Sequence, residues 1–363
     1  MKKILIIQEY FPIYRQAFFD EIAKEHNLTV LVSKKPFFDI NAEKRLYVQE
    51  LGQIKEILKG KFFWSKKLLN YNFKEFDVVV LSAAPRNLSF LILMFYLKFL
   101  NIKTVFWGQH WSFTSTQFGY TIRMLLLKLA DSILFYTDKE CENYRKTFLG
   151  RNDKRIITGL NNGLDVKKIN EYRTGFLFQE RMFNIFFIGR LSSKTNLMLL
   201  IEAIRNSKYS AKIKLHIIGE GELKDKCISA VKKLGLSEQI IFYGSIKEEE
   251  KIAKIANQCS LFVYTGAVGL SLIHAMAYGL PCIVHKDYKA HGPEVSALIE
   301  SGGGDFYEKN NLVSLTHLLD LYLINRDLLE EFSRNNIQLI SQSYNALDMS
   351  KRFNIMIGNI ISD

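Results

Sequence analysis

Gly266-Ala-Val-Gly-Leu-Ser-Leu-Ile-His-Ala-Met-Ala-Tyr-Gly-Leu-Pro281-Cys-Ile-Val284 reads as a loop, a short helix, a glycine stop and a strand, and it follows directly on the apolar run Ser260 to Tyr264 (SLFVY). Strands joined through a helix lie parallel, so the stretch spells one βαβ unit. Gly269 frees the turn for close backbone approach, and the amides of Leu270 and Ser271 point outward from the helix N-terminus, where an anion can be held. At helical spacing Ser271, His274 and Tyr278 share one face, and Leu270, Ile273 and Ala277 share another. Taken alone, the same residues also describe an ordinary helix capped by Gly279.

The alternation extends both ways along the chain. Strands are expected at 4–8, 28–33, 77–82, 103–107, 132–137 and 154–158, with amphipathic helices between them. The pattern restarts at 183–188, 213–218, 239–243, 260–264 and 281–284, and such regular alternation is the mark of parallel α/β architecture. Residues 169–182 break it and read as a linker between an N-terminal domain, 1–168, and a C-terminal domain, 183–344; a last helix over 345–363 is expected to pack back on the first domain. The expected picture is two doubly wound, Rossmann-like domains facing a central cleft, with ligands outside the carboxyl ends of the strands.

At 363 residues the chain is long enough for two domains of about 150 residues. Hydrophobic residues make up 48% and charged residues 24%, which excludes disorder, a collagen-like fibre and a small disulfide scaffold. The longest apolar run, Leu88 to Leu97, is cut by Lys98 and falls short of the about 18 residues of a bilayer span. Ile4 to Ile7 is too short for a signal peptide core, and the cysteines at 141, 227, 259 and 282 lack paired spacing, so a reducing cytoplasm is expected. Residues 1–172 hold 27 of the 49 basic and 17 of the 37 acidic residues, and so carry +10 of the net +12. Such a half can face nucleic acid, an acidic membrane or a phosphate-bearing substrate.

A dinucleotide fold needs G-x-G-x-x-G after its first strand. This chain has Gln8-Glu-Tyr-Phe-Pro-Ile-Tyr-Arg15 there, which disfavours hydride transfer, and Gly219-Glu-Gly-Glu222 after a later strand is a weak glycine loop.

Phe187-Ile-Gly-Arg-Leu-Ser-Ser-Lys194, Leu215-His-Ile-Ile-Gly-Glu-Gly-Glu-Leu223, Ile241-Phe-Tyr-Gly-Ser-Ile246, the 266–284 stretch and Gly292-Pro-Glu294 occur in the order seen in family 4 glycosyltransferases of the GT-B fold, which the whole second half resembles. Asn162-Gly-Leu-Asp165 and Phe11-Pro-Ile-Tyr-Arg15 are similar to that family too. The resemblance implies that Arg190 and Lys194 hold a nucleotide diphosphate, although the family lysine usually falls one residue later, at Thr195 here. It further implies base contacts near Tyr243 and Ser245. Other donor contacts implied are at Gly219, Val268, Gly269, Leu270, Ser271, His274 and Glu294, with Tyr14 and Arg15 on the acceptor side. No metal or other cofactor is implied, because helix amides, Arg and Lys neutralise the diphosphate.

Two glutamates typify the family around the phosphate-binding helix, and their positions hold Gly266 and His274. The resemblance then assigns ribose binding to a neutral His274, so His274→Glu is expected to be tolerated better than His274→Leu. Gly266 leaves donor-sugar recognition to other groups, with Asp287, His291 and Glu294 near in sequence, and weakens the case for the retention usual in the family.

His274, His285 and His291 can also be read as a metal site, but two of them fall in or after a strand and share no helix face. His110, in Phe106-Trp-Gly-Gln-His-Trp111 and followed by the polar loop Ser112 to Gln117, is either a catalytic group that handles the acceptor proton or a ring packed between Trp107 and Trp111. Lys59-Gly-Lys-Phe-Phe-Trp-Ser-Lys-Lys-Leu-Leu69 suits an anionic membrane interface, a solvated loop with core aromatics, or stacking on single strands, and no nucleic-acid motif accompanies it. The expected protein is a cytoplasmic glycosyltransferase, peripheral on the inner face of the cytoplasmic membrane. It would move a sugar from a nucleotide diphosphate donor to a hydroxyl of a glycan, lipid-linked, in bacterial-type cell-surface polysaccharide assembly (O-antigen, capsule or lipopolysaccharide). Nucleic acid is not an expected partner. The alternative is a non-catalytic glycan- or nucleotide-binding homologue.

Overall fold

A strand inside a parallel sheet is covered on both faces, so it needs apolar side chains throughout. In the computed structural model, which describes residues 1–33, 45–52, 54–82, 86–111 and 117–362, β1 (Lys3–Gln8) buries every residue after Lys3. Alternate residues feed two cores: Ile4 and Ile6 pack with Val30, Val80 and Trp107, while Leu5 and Ile7 pack with Leu31, Val79 and Phe106.

The chain divides into two units, Met1–Asp165 with Ala346–Asp363, and Val166–Asn345. In the first, β1 is joined by β2 (Asn27–Val32), β3 (Val48–Glu50), a hairpin of β4 (Lys55–Ile57) and β5 (Phe62–Trp64), then β6 (Val78–Ser82), β7 (Lys103–Trp107), β8 (Ser132–Phe135) and β9 (Ile157–Gly159). The hairpin stands apart, and the seven other strands form a parallel sheet in the order β3-β2-β1-β6-β7-β8-β9. Helix Ala346–Ser362 lays Met349, Phe353, Met356 and Ile357 against Phe18, Phe19 and Ile22 of helix Gln16–Glu25, with Phe18 and Phe353 edge to face at 5.8 Å. The strand expected at 154–158 starts late, because Arg155 is held in a turn by Asp153 and by the carbonyls of Leu127 and Ala130.

The second unit holds β10 (Asn184–Ile188), β11 (Lys214–Ile218), β12 (Ile240–Gly244), β13 (Leu261–Val263), β14 (Cys282–His285) and β15 (Gly304–Tyr307), parallel in the order β12-β11-β10-β13-β14-β15. Residues 169–182, expected as a linker, belong to this unit and contribute to two short helices, Lys167–Tyr172 and Phe178–Arg181. Polar side chains strap them down: Arg173 donates to Ala277 O at 2.7 Å, and Asn257 donates to Tyr172 O at 2.8 Å.

Candidate functional site

Each of the two parallel sheets has one place where the strand order reverses, between β1 and β6 and between β10 and β13. Chain segments leave these neighbouring strands in opposite directions, which opens a crevice at their carboxyl ends.

In the second unit the crevice is framed by Gly189 to Asn196 after β10 and by Tyr264 to Gly269 after β13, which leads into helix Leu270–Ala277. The two loops are fastened through their backbones. The Ala267 amide donates to Lys194 O at 2.9 Å, and Thr265 Oγ1 donates to the carbonyls of Thr195 and Asn196 at 3.2 and 2.8 Å. A Cβ at Gly266 would lie 2.0 Å from Lys194 O, so this position admits no side chain. Gly219, at φ +153°, closes the neighbouring side: a Cβ there would lie 1.9 Å from Gly189 O, and its amide donates to Gly244 O at 2.8 Å. Gly219 therefore meets Gly189 and Gly244, at the ends of β10 and β12, backbone to backbone.

Arg190 and Lys194 are exposed on this frame, and neither side chain has a hydrogen bond or ion pair among the described residues. Gly269 supplies no side-chain cap to helix Leu270–Ala277, whose first turn carries Leu270 and a half-buried Ser271. A helix start whose N-cap residue has no side chain, beside two cations without a partner among the described residues, is suited to an anion. Glu294 folds its buried carboxylate over Gly292, where a Cβ would lie 2.4 Å from Oε2.

The histidines behind this frame have definite work. The Val268 amide donates to His291 Nδ1 at 3.1 Å, so Nε2 carries the proton and donates to His285 O at 2.8 Å. Only a neutral ring makes both bonds, and burial holds the His291 pKa below its ordinary value. His285 stacks on it at 3.9 Å and is pulled down to about 4, by burial first and His291 second. Asp287 is paired with Lys309 at 2.7 Å. Tyr243 gives its hydroxyl to a 2.9 Å bond with His216, and Ser245 is exposed just beyond.

His274 is not alone on its helix face. Its Nε2 lies 2.8 Å from Glu249 Oε1, and the Tyr278 hydroxyl donates to the same oxygen at 2.5 Å. Burial pushes the Glu249 carboxyl up, and the bonds from His274 and Tyr278 more than reverse that, leaving it below its usual range. Glu249 opens helix Glu249–Ala256 and escaped the sequence reading because nothing in its neighbourhood signals a partner 25 residues away.

In the first unit a cavity of about 320 Å³ lies at the reversal. It is lined by Gln8 at the end of β1, Glu9, Tyr10, Pro12, Tyr14 and Arg15 after it, Ser82 of β6, Trp107 to Gln109 from β7 onward, Arg123 and Tyr136. Tyr14 and Arg15 thus come to one site. The Arg15 guanidinium, on a side chain 5% exposed, lies 4.4 Å over the Trp107 ring and 5.1 Å from that of Tyr136. Burial opposes its charge, and the Tyr136, Tyr14 and Tyr10 hydroxyls more than offset that.

His110 is not in this lining. Its ring is buried edge-on against Tyr120, Phe135 and Tyr144, with Nε2 2.9 Å from the Tyr120 hydroxyl, so the expected sandwich of Trp107 and Trp111 is replaced by other aromatics. Burial, then Arg123, pulls its pKa down to about 4, and the ring is neutral at pH 7. Residues 112–116 of the polar loop after it lie outside the described residues.

The basic and aromatic stretch from Lys59 builds β5 and helix Lys66–Leu69. The Phe63 amide donates to Arg86 O at 2.9 Å and the Ser65 amide to Ser89 Oγ at 2.6 Å, which ties the stretch to helix Leu88–Phe99. That helix leaves Ile92, Phe95, Tyr96 and Phe99 exposed at helical spacing, with Phe95 61% and Phe99 86% accessible, and Lys59, Lys61, Lys66, Lys67 and Lys98 are exposed on these same elements. Among the described residues no helix is long and apolar enough to cross a membrane.

Residues 168–339 match the model of glycosyl transferases group 1. An uncharacterized glycosyltransferase of Haemophilus influenzae is 25% identical over 319 residues, 85% of this chain and 84% of that protein. The lipopolysaccharide 1,6-galactosyltransferase of Salmonella typhimurium is 36% identical over 73 residues, 19% of this chain and 20% of that protein. Among solved structures, Anabaena HepE in complex with UDP superimposes with a TM-score of 0.72 at 15% identity, covering 99% of this chain and 100% of that one. The chain has the GT-B fold, and its second unit carries a glycosyl transferases group 1 domain. The protein is a glycosyltransferase.

Proposed function

We propose that the protein transfers a sugar from a nucleotide diphosphate donor to a hydroxyl of a glycan acceptor, with retention, and that the variant frame around Gly266 and His274 belongs to family 4. The observation that carries the donor site is the exposed pair Arg190 and Lys194, without partners among the described residues, beside the helix that starts after Gly269. The diphosphate lies against these groups, the base beside Tyr243 and Ser245, and the ribose against His274, whose Nε2 Glu249 already engages. Preorganised cations and helix amides stabilise the leaving diphosphate electrostatically, so no metal is needed for that step. The Val268 and His291 bond holds the loop that presents the helix amides. The UDP held by Anabaena HepE in its complex supports a nucleotide donor. Calorimetry with UDP, ADP and GDP tests the site: Arg190→Ala should weaken the best ligand by about 1.5 to 3 kcal/mol, the scale of a charged hydrogen bond. Unchanged affinity would remove Arg190 from the site.

The acceptor is read as lipid-linked and the protein as peripheral on the cytoplasmic face of an anionic membrane, in cell-surface polysaccharide assembly. Its support is the patch of Ile92, Phe95, Tyr96 and Phe99 with lysines on the same elements, which suits insertion at a headgroup boundary. The lipopolysaccharide relative points the same way.

A further inference from the structure

The cavity of the first unit has a chemistry that the transfer reaction alone does not explain. Arg15 Nε and Nη2, Arg123 Nε and Nη1, Trp107 Nε1 and Ser82 Oγ are all buried, and none has a hydrogen-bond partner among the described residues. All four residues line the same cavity. Guanidinium and indole nitrogens can only donate, so the complement of this lining must accept. Buried charge is stable when paired, and two guanidinium groups with open donors at a sheet reversal leave room for an anion. Among the described residues Glu9 is the one acid of the lining; Glu140, outside it, acts on Arg123 electrostatically, and its two oxygens accept from the His110 and Tyr136 amides. Tyr10 and Tyr14, 37% and 36% exposed, add aromatic surface against which a sugar ring can lie.

We propose that this cavity binds a phosphate group carried by the sugar acceptor, seated between Arg15 and Arg123. A carboxylate is satisfied by one guanidinium fork, whereas a tetrahedral dianion can engage forks from two elements as well as the Trp107 and Ser82 donors. That the phosphate belongs to an acceptor rests on the transfer reaction proposed above; that the cavity takes an anion does not.

The test is calorimetry on the full chain saturated with UDP, using glucose 1-phosphate, inorganic phosphate, glucuronate and glucose as probes. Glucose 1-phosphate should bind more tightly than glucose or glucuronate. Arg123→Gln and Arg15→Gln should each weaken it by about tenfold or more, with UDP affinity unchanged. Arg15→Lys keeps the charge without the fork and should also weaken it, which covers the case in which Arg15→Gln does not fold. Equal affinity for glucuronate would overturn the choice of phosphate. Competition between UDP and glucose 1-phosphate would assign the anion to the donor and overturn the acceptor site. Parent-like affinity in folded Arg123→Gln would overturn the cavity itself. A chain that binds no nucleotide but loses phosphate binding in these variants would refute the transfer reading and leave the anion site standing.

Discussion

Position 266 invites the substitution Gly266→Glu, which returns the glutamate usual in the resembling family. The structure predicts that this change damages the protein, and that Gly266→Ala damages it nearly as much. The obstacle is the first side-chain atom: a Cβ would lie 2.0 Å from Lys194 O and 2.6 Å from the Thr195 carbonyl carbon, both backbone. Relief requires the two loops to part, which breaks the Ala267 to Lys194 bond and strains those from Thr265 Oγ1. Overpacking costs about 1 to 3 kcal/mol and a lost hydrogen bond about 1 kcal/mol, so a loss of about 2 to 4 kcal/mol is expected. For a unit of this size that is a fall of roughly 5 to 15 °C in melting temperature. Lys194 moves with the loop, so UDP affinity should fall in both variants as well. Differential scanning calorimetry and UDP titration check this. A glutamate variant with parent-like melting and improved UDP binding would refute the backbone argument, as would an alanine variant that is harmless.

Position 274 is sensitive in another way: His274→Glu puts a second carboxylate beside Glu249, so it should be less stable than His274→Gln at pH 7 and recover below about pH 4.5 as one carboxyl protonates. In the parent, Glu249 has a lowered pKa, so its pairing contributes above the unfolded carboxyl's pKa and is lost as pH falls below it; urea melts from pH 3 to 7 read both. His110 is kept neutral in the fold, so the unfolded chain binds its proton first and stability should fall from pH 6.5 towards 4, by up to about 3 kcal/mol. His110→Gln should flatten that slope, and an unchanged slope would refute the burial argument. Phe95→Ser with Phe99→Ser, or Lys61, Lys66 and Lys67 to Gln, should reduce sedimentation with anionic vesicles, and salt should reproduce only the lysine effect. Equal sedimentation of all forms would leave the exposed helix without a membrane role.

The sequence by itself determined the α/β class, because runs such as Ile4 to Ile7 and Leu261 to Val263 can be buried only on both faces of a parallel sheet, and the helices between them set the crossovers. It also determined the loop and helix start at Gly266 to Ser271, since glycine spacing and a helix start are local properties. Partnerships across long separations were decided only by the tertiary structure. His274 meets Glu249, Arg15 meets Trp107 and Tyr136, and His110 meets Tyr120 and Tyr144 because the packing of separate helices, strands and loops brings them together. Gly266 shows the same division: the sequence records a missing side chain, and only the packed Lys194 carbonyl shows that no side chain can stand there.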